Sequence, residues 1–380
     1  MMPAGLNRLL LTVGGAVVAI VLALAISSVA ILAAGADPVA AFGAFFDFGS
    51  NSTSVVSGIA TVINRAVPLF IAGLAVAVGF RMNLFNIGVE GQYRIAAICA
   101  AYVGATFTAP APIQIAVIIV VAAAVGGLYA LIPALMKVGR GVNEVISTIM
   151  LNYIALSLSA FLVRGPFQGP RPEGQLTTQT ADIPETGWFP NFNFVFTMFG
   201  LPAPRGAGLW GFLGVAIVLG IVLWVVLERT RFGFDVKASG LNSIAALASG
   251  VRPKKMVISA MVLSGAIAGL IGLPEILGRT HNFGSGFTAG LGFLGIAVAL
   301  LGRNKPVGIA VAALLFGFLD RAQGPLQFAD VPPSVIMIMQ GTIVLLVVIA
   351  NEITGRMALR QEERRAARQL ATTNRVEVGA

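Results

Sequence analysis

The chain alternates long apolar stretches with short polar joints. Ten stretches read as candidate spans, near 9–34, 55–80, 87–107, 113–136, 144–163, 209–228, 256–278, 289–302, 306–320 and 334–351. About twenty apolar residues in an α-helix cover a ~30 Å hydrocarbon core and keep every backbone polar group bonded within the segment. The runs are continuous and lack the strict alternation of a transmembrane β-barrel. They predict an all-α, polytopic membrane protein with about ten transmembrane helices. The first run is longer than the apolar core of a typical signal peptide and is expected to be kept as a span.

Composition agrees, since 57% of the 380 residues are hydrophobic and 11% charged, against roughly 25% charged in soluble domains. Where the charge sits matters more than the net +9. With both termini cytoplasmic, 18 of the 25 Lys and Arg fall in inside segments, five fall outside, and Arg65 and Arg94 lie within spans. Such a bias sets orientation, so the positive charge is a topology signal and no nucleic-acid partner is implied. The expected divisions are 1–54, a first span and external loop; 55–351, the membrane domain with an external loop at 164–208 and a cytoplasmic loop at 229–255; and 352–380, a basic tail. The tail is expected to touch anionic lipid head groups. A single Cys99 and a single His281 leave no set of residues for a disulfide, a metal or a metal cofactor.

Polar groups inside the spans carry the functional information, because their desolvation must be offset by partners or by a role. Asn64 and Arg65 precede Pro68, where a kink is expected. Residues 83–97, "NLFNIGVEGQYRIAA", hold Asn83, Asn86, Glu90, Gln92 and Arg94. Glu90 and Arg94 are spaced i, i+4, which predicts an ion pair on one helix face. Asn143 is a candidate N-cap with Glu144 in the first turn behind it, and Asn152 and Tyr153 reach further in. Glu275 and Arg279 repeat the i, i+4 spacing, with His281 and Asn282 beyond. Each group reads either as glue between helices or as part of a solute pathway. Arg65 is the charge without an assigned partner, lining a cavity or a polar seam.

In the cytoplasmic loop, "NSIAALAS" predicts a short helix between Gly240 and Gly250 with Asn242 as its N-cap. It is either a plain surface helix or a contact for another protein. No P-loop, H-E-x-x-H or G-x-S-x-G occurs. Glu90, Glu144 and Glu275 all read as lying near span ends, which disfavours a proton relay. The chain reads as a passive conduit, not an enzyme, driven by something else.

Four segments in order, "FNIGVEGQ" (85–92), "NEVISTIMLNYIA" (143–155), "SGAIAGLIG" (264–272) and "GFLGIAVALLG" (292–302), resemble permease subunits of bacterial ABC importers. That group includes branched-chain amino acid, simple-sugar and nucleoside permeases, and the first two segments look most like the nucleoside/simple-sugar branch. The resemblance covers about residues 55–350. It implies location in the bacterial inner membrane, a separate ATPase subunit, a second and different permease, and an extracytoplasmic solute-binding lipoprotein. Segment 240–250 would then be the coupling helix, with Gly240, Asn242, Ala245, Ala246 and Gly250 as its candidate residues. The loop lacks the Glu-Ala-Ala start of better-known importers. Residues 55–163 and 256–351 also read as two four-span units in opposite orientation, an inverted repeat. The candidates for lining the pathway or supporting its broken helices are Asn86, Glu90, Gln92, Asn152 and Tyr153. Branched-chain amino acid import and a stand-alone secondary transporter remain the alternative readings.

Overall fold

The computed structural model describes residues 18, 21–171, 177–206, 208–327, 331–332, 334–350, 353 and 356–357, and these are mostly helical. The start of the first expected span and nearly all of the 352–380 tail, with its lipid contact, lie outside the described residues. The chain divides into two units, one of residues Met1–Phe46 with Ala322–Ala380 and one of Asp47–Arg321.

In the first unit, α1 (Val21–Ala33) and α2 (Pro38–Phe45) form a pair bent by 118°. Asp37 caps α2 by accepting from the Val39 N–H. A short α15 (Gln323–Gln327) packs on α2, and α16 (Ser334–Ala350) is an apolar helix.

The second unit holds α3 (Ser52–Arg81), α4 (Val89–Thr106), α5 (Ala111–Arg140), α6 (Glu144–Arg164), α7 (Phe194–Met198), α8 (Phe212–Arg229), α9 (Arg231–Leu241), α10 (Ser243–Ala248), α11 (Pro253–Gly269), α12 (Leu273–Glu275), α13 (Leu291–Leu301) and α14 (Pro306–Arg321). Six helices among the described residues are long and apolar enough to cross a membrane: α3, α5, α6, α8, α11 extended to Thr280, and α14 extended to Gln327. The remaining predicted runs correspond to the bent pair, to α4 and to the shorter α13 and α16. Helix starts follow local chemistry. Asn51 accepts from the Ser54 N–H, and Asn143 accepts from Val145 and Ile146, as its position before Glu144 predicts. Pro68 lies inside α3, which runs on without interruption.

Two helices are central. The most apolar windows of α3 and α11 are 67% and 61% buried, whereas those of α5, α6 and α8 are 22–28% buried. The central helices are covered by their neighbours, whereas α5, α6 and α8 turn much of their apolar surface outward. Small residues set the spacing between them. A Cβ added to Gly269 would lie 2.0 Å from the Ala122 carbonyl oxygen, and one on Gly126 would lie 2.3 Å from that of Gly265. Across the unit, Gly317 of α14 meets α3 in the same manner, 2.5 Å from the Val62 carbonyl. Gly269→Ala is expected to destabilise the purified protein by about 1–3 kcal/mol through overpacking. Gly139→Ala, whose Cβ meets nothing within 4 Å, should melt no lower than wild type. Equal melting temperatures for the two variants would count against this packing.

Candidate functional site

The polar stretch after α3 folds back into the protein. Asn83 takes a left-handed turn, φ 57°, which Asn tolerates. Residues 84–88 then climb alongside α3 before α4 begins. Asn86 and Gln92 join their amides in both directions, at 3.0 and 2.9 Å. Asn86 also donates to the Ser264 hydroxyl at 2.9 Å, and Ser264 donates to the Ala75 carbonyl of α3 at 2.6 Å. All three side chains are buried, so the network satisfies groups that water cannot reach.

Asn152 of α6 holds the start of α4. Its side-chain oxygen accepts from the Gly91 N–H at 2.9 Å, and its nitrogen donates to the Ile87 carbonyl at 3.0 Å. Asn152 is the eighth residue beyond Glu144, so at 1.5 Å per residue this contact lies about 12 Å along α6. Within a ~30 Å core, α4 thus starts deep inside and not at the membrane edge.

Glu90 sits at that depth. Its Oε1 accepts from the Gly290 N–H at 2.9 Å and its Oε2 from the Gly292 N–H at 3.0 Å. These are the first amides of α13, which has no cap from its own segment. Glu90 therefore caps a helix 200 residues away while occupying the first turn of its own. Two helix N-termini, each partly positive, converge on one carboxylate. Gly292 allows this approach, because a Cβ there would stand 2.5 Å from the Glu90 nitrogen. The Tyr93 hydroxyl lies 2.7 Å from the Thr288 carbonyl and 3.2 Å from Glu90. With one proton to give, it serves the nearer oxygen better.

The expected Glu90–Arg94 ion pair is not among the salt bridges of the described residues. Arg94 instead donates to the Phe287 carbonyl at 3.3 Å, and backbone amides meet the needs of Glu90. The expectation that Glu90 lies near a span end also fails, since α4 starts inside the protein. Tyr153 does not join the cluster: its side chain is 70% exposed on the outer face of α6.

The other intramembrane charges are paired. Arg65 meets Asp320 of α14 at 3.3 Å, which gives it the partner that the sequence left open. Lys137 and Glu144 pair at 2.5 Å, Arg279 pairs with Glu275 as its spacing predicts, and Arg81 pairs with Glu228. Asp320, Tyr93, Ser264 and the Gly290 and Gly292 amides escaped the sequence reading. Asp320 had a visible signal, as the sole acid within 306–321.

The loop after α6 lies along residues 277–285. Thr180 donates through its N–H to Phe283 at 2.9 Å, Ser285 to Thr178 at 2.9 Å, and Phe189 to Leu277 at 3.0 Å. Trp188 stacks on His281 with ring centres 3.9 Å apart. Burial is the main influence on His281 and pushes its pKa below 6.5, with Asp182 opposing. The docked loop thus favours the neutral ring, whereas an undocked loop takes up a proton as pH falls below 6.5. Docking should be complete above that pH and weaken below it. Protection of the amides of residues 178–189, taken relative to the intrinsic exchange rate at each pH, should fall on acidification, and His281→Phe should remove that pH dependence. An identical pH profile in that variant would exclude His281 as the titrating group.

At α10, Asn242 accepts from the Ile244 and Ala245 N–H groups, both at 3.0 Å, as predicted for an N-cap. Gly240 lies against Arg81 and Met82, Ala246 is buried, and Gly250 takes φ 83°. Leu241, Ile244 and Leu247 are 79%, 81% and 63% exposed, an apolar face that the candidate residues did not include.

Residues 58–348 match the family described as branched-chain amino acid transport system / permease component. The chain is 33% identical to a glucose ABC transporter permease protein of Haloferax volcanii, over 90% of this chain and 88% of that one. It is 32% identical to a guanosine ABC transporter permease protein of Bacillus subtilis (87% and 91%) and 30% identical to a nucleoside ABC transporter permease protein of Lactococcus lactis (87% and 89%). Bacillus subtilis holds a second guanosine permease protein, 27% identical over 75% of this chain. No solved structure matches.

Proposed function

Since this chain belongs to the branched-chain amino acid transport system / permease component family, we propose that it is the membrane-spanning subunit of an ATP-driven importer for nucleosides or a related sugar-containing solute. The observation that carries this reading is identity of 30–33% along nearly the full length of permeases named for glucose, guanosine and nucleosides. A sugar ring is what those solutes share.

The proposed mechanism is alternating access. Asn86, Glu90, Gln92 and Asn152 hold two broken helices, α4 and α13, whose N-termini meet inside the membrane domain, an arrangement that suits a solute pathway. Tyr153 faces outward, where a second permease subunit is proposed to pack. Two distinct guanosine permeases in Bacillus subtilis support such a pairing. An inverted repeat is supported by reciprocal packing: α3 lies on α13 and α14, and α11 lies on α4 and α5. In this reading the helices that complete ten spans, both termini and the 352–380 tail follow the charge bias, with the termini in the cytoplasm of the inner membrane. The proposed domain limits are 1–54, 55–351 and 352–380.

ATP binding and hydrolysis belong to a separate ATPase subunit seated on α10, and an extracytoplasmic lipoprotein delivers solute at the outer loop. Gly240 and Asn242 before α10, Ala246 within it and Gly250 after it shape this segment, while Ala245 and the apolar trio offer the contact. The deciding experiment is to purify the complex, reconstitute it and measure ATP hydrolysis with nucleosides, glucose or leucine. Stimulation by nucleosides or glucose is expected. Stimulation by leucine alone establishes amino acid import instead, and ion-driven uptake by this chain without an ATPase defeats the reading.

A further inference from the structure

Above the Glu90 junction lies a small cavity of about 90 Å³, lined by Arg94, Leu156, Ser159, Arg164, Phe283 and Ser285 among others. It is far below the 300–1,000 Å³ of a pocket that encloses a whole drug-sized ligand. It has room for a few polar atoms, or for one edge of a larger solute.

Its chemistry is one-sided. Arg94 is 8% exposed, and its Nε is buried without a hydrogen-bond partner. Its guanidinium has one acceptor, the Phe287 carbonyl at 3.3 Å, and the unpaired Nε–H carries a desolvation cost; Glu90, the nearest carboxylate in sequence, is taken up by the Gly290 and Gly292 amides. No carboxylate lines the cavity. Ser159 donates to the Ala155 carbonyl at 2.5 Å, which leaves its oxygen as an acceptor. The Leu156 and Phe283 side chains supply apolar wall. Guanidinium donors, hydroxyl oxygens and an apolar wall together match one edge of a sugar ring: vicinal hydroxyls for the polar side, C–H groups for the wall.

We propose that Arg94, with Ser159 and Ser285, forms a subsite for the vicinal hydroxyls of the sugar moiety of the transported solute. The subsite rests on the reading of the chain as a sugar-solute permease, and it adds the part of the solute that is recognised. Arg94 becomes a specificity-determining residue, supplying forked donors that Lys does not reproduce.

The test uses the complete importer in proteoliposomes, with uridine and a dideoxy analogue lacking both ring hydroxyls as probes. Wild type is expected to take up uridine faster than the analogue. Arg94→Gln should raise the KM for uridine about tenfold, the size expected for a lost charged hydrogen bond, and leave the analogue within about twofold. Ser285→Ala, at an exposed position, should lower the same preference about threefold. It decides the matter if Arg94→Gln does not assemble with its ATPase. Equal losses for both probes make Arg94 a structural residue and overturn the subsite while import stands. If wild type takes up leucine but neither uridine nor glucose, the functional reading falls first and the subsite with it.

Discussion

Glu90→Ala is expected to loosen the junction of α4 and α13 and to abolish transport. Removing the carboxylate strands the Gly290 and Gly292 amides, both bonded to Glu90 at 2.9–3.0 Å. Each unsatisfied buried donor costs about 1–3 kcal/mol, so the variant should lose roughly 2–6 kcal/mol, large against a typical stability of about 5–15 kcal/mol. Glu90→Gln keeps one acceptor oxygen but sets an NH2 group against an amide donor and removes the charge that both helix ends favour. It should fall between wild type and Glu90→Ala. Thermal unfolding of the purified permease in detergent checks the order. If all three proteins unfold at the same temperature, Glu90 does not hold α13 in place.

The second large effect is expected at α10. Ile244 is 81% exposed, so Ile244→Glu should leave melting of the isolated permease unchanged. It puts a charge into an apolar contact, and a loss of about 1.4 kcal/mol or more there means at least a tenfold drop in ATPase affinity. Solute-stimulated hydrolysis should fall accordingly. Ala246→Glu is the contrasting variant: Ala246 is 3% exposed, and a buried unpaired charge should lower melting itself. Normal stimulation in Ile244→Glu would remove α10 as the ATPase contact.

The lipid-facing part of the fold was legible because it obeys one rule. Helices such as α6 and α8 are long, mostly apolar runs, and their predicted ends fall within a few residues of the observed ones. Caps were legible too, because Asn143 and Asn242 act on amides two or three residues away. The interior was less so. Glu90 has a neighbour at the right helical spacing, Arg94, yet binds amides 200 residues distant. Spacing reveals only partners on the same helix. The Arg65–Asp320 pair failed to emerge for the same reason. Tyr153 misled differently: a polar residue in an apolar run was read as facing inward, but a tyrosine presents enough apolar ring to stand on an outer surface. Asn86, Gln92 and Asn152 stood out in the sequence as polar groups in apolar surroundings, but their bonds depend on Ser264, Ile87 and Gly91 meeting at one depth.

The meeting of α4 and α13 bears on leakage. An importer that opens a polar route through the membrane risks discharging the ion gradients across it. Here two helix N-termini, together worth about one positive charge, face each other with Glu90 between them and Arg94 one turn above. The carboxylate offsets the helix ends, and the guanidinium remains, so the centre of the domain is net positive. Positive groups and half-helix ends are barriers to protons and metal cations in other membrane pores, whereas an uncharged sugar ring meets no such barrier. On the proposed pathway, the junction that joins the two broken helices would oppose cations while a neutral solute passes.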